Sequence, residues 1–289
     1  PNHKGLWITH RAPPKDMAKL ADIFAGMVRH FNVEKKYGVK MWEIGNEPDD
    51  WTRYWIKGTI QEYIELFKLS SKAMREVDPS IRISAPALAN LYAKAWPDNK
   101  LEWKDEFMEQ CGGGFDDFSF HCYMETDISR HVNDARKSLS SHGLSGKTLS
   151  ISEYNLSAGD GDCLSLFNFN GALYVSRILK SIAENSVDRA VFFAMTGSLG
   201  LIGDDGGKPY PRPSYHAFRM HASLGRFKNG TLIPSISADP GIGSMSCIHD
   251  DGRGYSVMLS ADAPFVKKFS TSVVLKGAEG RYSMMEYLL

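Results

Sequence analysis

Cysteine is scarce in this chain. Four are scattered over 289 residues, at Cys111, Cys122, Cys163 and Cys247, without metal-ligand or redox spacing, and they read as buried free thiols. No apolar run approaches the roughly 18 residues of a membrane span, although hydrophobic residues make up 43% of the chain. Neither charge is in excess: Lys+Arg and Asp+Glu both number 34. A neutral chain without a basic stripe or a polybasic segment offers nothing to nucleic acid or to an anionic membrane. No G-x-G-x-x-G turn marks a dinucleotide fold. No H-E-x-x-H or comparable spacing asks for a metal, and no cofactor is expected. The chain begins at Pro1 with neither an initiator Met nor a signal peptide, so it assigns no compartment, cytoplasmic or secreted. Oligomeric state is equally open.

What is present is alternation. Pro14 sits near the start of a helix whose apolar positions are Met17, Leu20, Phe24, Met27, Val28 and Phe31, a stripe of period 3.6 with Gly38 beyond it. A strand over residues 40–44 follows. Thr59-Ile60-Gln61-Glu62 is a capping box opening a helix that ends at Asp78-Pro79, and residues 81–86 form the next strand. Helices near 102–110 and 129–141 lead to strands 117–121 and 148–153. A longer helix leads to strand 189–194, and a last one spans about 214–224. Five strands, each followed by a helix, argue for a parallel α/β sheet.

After Phe227 the texture becomes all-β. Residues 244–249 and 255–260 flank a hairpin turn at Asp250-Asp251-Gly252-Arg253-Gly254, and residues 269–275 and 281–288 alternate like further strands. The expected division is a catalytic domain over 1–226 and a partial β-sandwich domain over 227–289. Asp204-Asp205-Gly206-Gly207 lacks further acidic ligands at EF-hand spacing and reads as a turn.

Two short segments carry the chemistry: Met41-Trp42-Glu43-Ile44-Gly45-Asn46-Glu47-Pro48 and Leu149-Ser150-Ile151-Ser152-Glu153-Tyr154-Asn155. Each is an apolar run ending in a carboxylate. In a closed barrel of parallel strands, the C-terminal strand ends share one mouth. Two glutamates delivered there suit glycoside hydrolysis, one protonating the leaving oxygen and the other attacking the sugar. The expectation is Glu47 as acid/base and Glu153 as nucleophile. Glu43, two residues into its strand, is expected in a structural ion pair. His121 sits at a strand end beside Tyr123 and is expected to line the site. Trp51, Trp55 and Trp96 lie in loops after strands, where aromatic faces suit either a sugar or simple loop packing.

At these residues the sequence resembles glycoside hydrolase family 39, the family of β-xylosidases and α-L-iduronidase, from about Ile8 to about His221. Trp42–Pro48 resembles the acid/base motif, Phe120-His121-Cys122-Tyr123 the His-x-Tyr of the sixth strand, and Ile151–Asn155 the nucleophile motif. Gly200-Leu201-Ile202 with Pro209 and Pro213-Ser214-Tyr215 resembles the segment after the eighth strand.

The resemblance implies a (β/α)8 TIM-type barrel with a β-sandwich beside it. It also implies a retaining mechanism on a β-linked carbohydrate, β-xylosides first. Asn46 would meet the substrate 2-hydroxyl, and His121 and Tyr123 would line the site, with the Tyr hydroxyl orienting Glu153. Two positions depart from the family: Gly45, where a Trp is usual, and Met195, where a Trp usually floors the sugar subsite.

An eight-stranded barrel needs three more βα units than are visible. At roughly 30 residues each, about a hundred residues are expected upstream of Pro1. Other specificities (uronide, arabinoside or β-glucan) and a non-catalytic carbohydrate-binding fragment stay open.

Overall fold

The computed structural model describes residues 12–97, 100–158, 167–224, 230–238, 241–249, 254–261 and 272–274. The chain divides into two compact units, Pro1–Ala158 with Ser181–Phe193, and Gly159–Lys180 with Ala194–Leu289.

The first unit holds one sheet of five parallel strands, β1 (Met41–Glu43), β2 (Arg82–Leu88), β3 (Asp117–Tyr123), β4 (Thr148–Asn155) and β5 (Arg189–Phe192). Their spatial order is their sequence order. Helices occupy the connections of the sheet, α1 (Met17–Val28) before β1, then α2 (Ile60–Val77), α3 (Trp103–Cys111) and α4 (Ser129–Ser141); α5 (Phe169–Glu184), between β4 and β5 in sequence, falls mostly in the second unit. This is the winding of a (β/α)8 barrel, in five of its strands, as the sequence predicts.

Local chemistry sets the helix starts. Asp16 caps α1 by accepting from the Lys19 amide at 2.9 Å. At α2 both halves of the capping box form: Thr59 Oγ1 accepts from the Glu62 amide, and the Glu62 carboxylate accepts from the Thr59 amide. The core lies between sheet and helices, with Ile83, Ala85, Leu88, Phe118, Phe120, Leu149 and Ile151 fully buried in the strands. An aromatic cluster fills the space beside them. Phe107 meets Phe67 edge-on at 5.1 Å and stacks on Phe115 at 5.4 Å.

The stripe expected on α1 needs correction. Ala21, Ala25 and Val28 are the buried residues, and Met27 is exposed. The period is right but the face is rotated, because α1 packs on α2 through its small side chains. Alanines four residues apart let two helices approach closely, leaving the larger residues to flank the seam.

In the second unit, β6 (Ile202–Asp205) and β7 (Lys208–Pro211) form a hairpin. Its turn is Gly206-Gly207, both at positive φ (58° and 85°), with the Gly207 amide donating to Asp204 Oδ1 at 2.6 Å. The acidic-glycine segment is therefore a turn. α6 (Pro213–Leu224) packs on a three-stranded antiparallel sheet of β8 (Thr231–Ile233), β9 (Ile242–Ile248) and β10 (Tyr255–Ala261), around buried Leu224, Cys247 and Met258. Of the expected strand 269–275 only 272–274 are described, without regular structure; 281–288, like Cys163, lies outside the described residues. Cys111, Cys122 and Cys247 are buried free thiols.

Candidate active site

Glu47 leaves the sheet by a strained route. Past β1 the chain still follows β2: the Ile44 amide donates to Ser84 O at 3.0 Å and the Glu47 amide to Ala87 O at 2.9 Å. Between them Gly45 takes φ +97°, and Glu47 itself takes φ +49°. A left-handed non-glycine residue costs on the order of 1–3 kcal/mol and persists only where its surroundings fix it. Ala87 supplies the fixing. It is bulged out of the β2–β3 register at φ 57°, its own amide satisfied by Ser119 Oγ at 3.0 Å.

Gly45 has a second constraint. A Cβ there would stand 2.8 Å from the Tyr63 ring, whose hydroxyl donates to Ile44 O at 2.5 Å. A Trp, the usual family residue, has no room in this conformation.

Glu153 arrives through an irregularity in β4. Strands β3 and β4 pair in step as far as Phe120 and Ile151, and then His121 pairs with Glu153. Strict alternation would put Glu153 on the same face as Ile151. The extra residue, Ser152, moves it to the face of His121.

These routes converge on His121, which is 3% exposed. Its Nδ1 lies 2.8 Å from Glu47 Oε1 and 3.5 Å from Glu153 Oε2. Both oxygens belong to carboxylates, so the ring proton belongs on Nδ1. Tyr123 donates its hydroxyl to Glu153 Oε2 at 2.5 Å. One donor atom from each of Glu47, His121 and Glu153 falls within 4.8 Å of the others. Among the described residues this is the cluster whose oxygen and nitrogen ligands could also hold a divalent ion.

Burial alone would lower the pKa of His121. The hydrogen bond donated to Glu47 and the charges of Glu153, Glu47 and Glu43 outweigh burial and raise it above the ordinary value. Burial and then the Glu153 carboxylate push Tyr123 far upward, so it stays a proton donor.

The other expected residues are dispersed. Asn46 is exposed in the turn before Glu47. Trp51 is 40% exposed and stacks on Trp96. Trp55 is 8% exposed, its indole N–H donating to Thr59 O at 3.0 Å and its edge against Tyr63, so it packs the start of α2. Met195 belongs to the second unit, 62% exposed, its carbonyl accepting from the Ile202 amide at 2.9 Å. Glu43 is exposed and, among the described residues, forms no ion pair; Ser84 Oγ stands 3.5 Å away. The partner of Glu43 in the neighbouring strand β2 is Ser84, not a cation.

Sequence reading missed Asp49. Its carboxylate is buried and accepts from the amides of Ala89 and Asn90 at 2.8 and 2.9 Å, tying the loop after β1 to the loop after β2. Burial, partly offset by those amides and reinforced by Glu47, raises its pKa to about 6.

A model of glycosyl hydrolases family 39 matches residues 3–149, ending just before Glu153. A β-xylosidase of Geobacillus stearothermophilus is 23% identical over 317 aligned positions, covering 91% of this chain and 59% of that protein. Among solved structures, a glucosidase from Croceicoccus marinus superposes with TM-score 0.71 at 20% identity, over 87% of this chain and 55% of its own. A GH39 β-xylosidase from Caulobacter crescentus gives 0.66 at 19% identity, over 86% and 54%. The chain thus spans a little over half the length of these relatives. The family match covers half of the sequence, including the strand that delivers Glu47 and the one that delivers His121 and Tyr123: the chain belongs to glycosyl hydrolases family 39.

Proposed function

We propose that Glu47 and Glu153 are the acid/base and the nucleophile of a retaining glycosidase acting on β-xylosides. One observation carries this reading: the two glutamates offer carboxylate oxygens within 4.8 Å of each other, against a common His121. Retaining enzymes hold their carboxyl groups about 5–5.5 Å apart, and inverting ones about 6.5–9.5 Å to admit a water. The likeness to β-xylosidases supports xylose as the sugar.

The residues divide the work as follows. Glu47 gives its proton to the glycosidic oxygen as that bond breaks. Glu153 attacks the anomeric carbon through Oε1, since Oε2 is held by Tyr123, and a glycosyl ester forms. Glu47, now the base, takes a proton from water, which attacks the same carbon and frees Glu153. His121 Nδ1 holds Glu47 and also faces Glu153, so one imidazole edge fixes the spacing of the two carboxyl groups. Asn46 hydrogen-bonds the 2-hydroxyl. Residues 1–226 are assigned to the catalytic domain and 227–289 to part of a β-sandwich domain.

The test is the stereochemistry of the first product. Proton NMR during hydrolysis of an aryl β-xyloside should show β-xylose appearing first and mutarotating afterwards. If α-xylose appears first, the reaction inverts and the assignment of Glu153 falls.

A further inference from the structure

We propose that Trp51 and Trp96 form an aromatic platform that binds the leaving-group sugar of an oligosaccharide, held in place by Asp49. This deepens the preceding reading and rests on Glu47 being the proton donor.

The two indoles come from different loops, after β1 and after β2, yet they stack with centroids 5.4 Å apart and planes 21° from parallel. Such a pair needs the loops fixed against each other. Asp49 does this by gripping the Ala89 and Asn90 amides from a site only 8% exposed. Burying a carboxylate so near Glu47 is unfavourable in itself, and the two backbone donors offset it. Despite that anchoring, Trp51 leaves 40% of its surface in water. Trp55, in the same loop, is buried, so the loop has both a packing Trp and a displayed one.

The loop also starts at Glu47. The Asp50 amide donates to Glu47 O at 3.0 Å, closing a turn directly before Trp51. Arg53, bonded to Asp50, feels the Glu47 charge, and Tyr54 is among the groups acting on Tyr123. A proton donor stands on the leaving-group side of the scissile bond, so what flanks Glu47 meets the departing sugar. A flat indole face matches the C–H face of a pyranose, and its N–H edge suits the hydroxyl rim. The substrate class is therefore a xylo-oligosaccharide, whose second residue is also a sugar.

Trp51→Ala, Trp96→Ala and Trp51→Phe should be compared with wild type on xylotetraose and on methyl β-xyloside, which has no leaving sugar. The ratio of kcat/KM for xylotetraose to that for methyl β-xyloside should fall about tenfold in each alanine variant, the worth of one lost apolar face. Trp51→Phe should recover most of it, and the change should lie mainly in KM. An unchanged ratio in both alanine variants overturns the platform.

Saturation-transfer NMR on the wild-type chain with xylotetraose gives a second reading that needs no variant to fold. Transfer between indole and sugar protons that weakens in Trp51→Phe supports the proposal, and its absence from wild type overturns it. A wild type that binds xylotetraose but cleaves neither substrate would instead count against the catalytic reading.

Discussion

Tyr123 donates its hydroxyl to Glu153 Oε2 across the β3–β4 pair at 2.5 Å. In the proposed mechanism that bond leaves the other carboxylate oxygen for attack and fixes its direction. Tyr123→Phe removes it without changing the ring. A hydrogen bond to a charged group contributes about 1.5–3 kcal/mol, so kcat should fall roughly 10- to 100-fold. KM should change little. A variant with wild-type kcat would show that Glu153 is oriented by something else.

His121 contributes a pH-dependent stabilisation. Its folded pKa is raised above 6.5, so the folded state binds a proton that the unfolded state releases more readily. The contribution is full below about pH 6.5 and is lost as pH rises through the folded value. Denaturant unfolding of wild type and His121→Asn should show the largest stability difference in acid, shrinking as the solution becomes alkaline. A difference that grows with pH would mean that His121 is neutral in the folded protein.

Asp49 is a carboxylate raised rather than lowered, to about 6 from 3.8. The folded state therefore binds more protons between these values, and stability falls as pH rises through that window. At most about 3 kcal/mol is involved. Asp49→Asn lacks the titration, so it should gain on wild type between pH 4 and 7. If unfolding midpoints of the two proteins keep a constant gap, Asp49 does not titrate there.

Gly45 is fixed by its φ of +97° and by the Tyr63 ring. Gly45→Ala should lower stability by about 1–3 kcal/mol and should also reduce activity, since Glu47 is two residues away. Thermal melts read the first effect, and an unaltered Tm would show that the turn can relax.

The repeating helix–strand order was legible because hydrophobic period and caps agree. Thr59 and Glu62 form the box their spacing predicts, and β1, which leads to Glu47, and β4, which carries Glu153, belong to one parallel sheet. Both glutamates were legible from their place after an apolar run. Their meeting in one mouth followed from the parallel barrel, but the route to it was not legible, because it depends on two departures from regular geometry: the bulge at Ala87 that holds Glu47, and the extra residue Ser152 that turns Glu153 over. Periodicity carries no trace of either.

Asp49 was equally hidden. Beside it Asp50 is an ordinary turn residue, accepting from Thr52 and Arg53. Only the distant amides of Ala89 and Asn90 set Asp49 apart. The face of α1 was misjudged because size was taken as the guide to burial, whereas close helix packing selects the small Ala21 and Ala25.

The most direct test of the account is covalent trapping. A 2-fluoro xyloside with an activated leaving group slows both steps, and its good leaving group lets the first proceed without acid assistance, so the ester accumulates. After incubation, proteolysis and mass spectrometry, the label should sit on Glu153, and Tyr123→Phe should acquire it more slowly. A label on Glu47, or on any residue other than Glu153, would contradict the assignment of roles to the two glutamates.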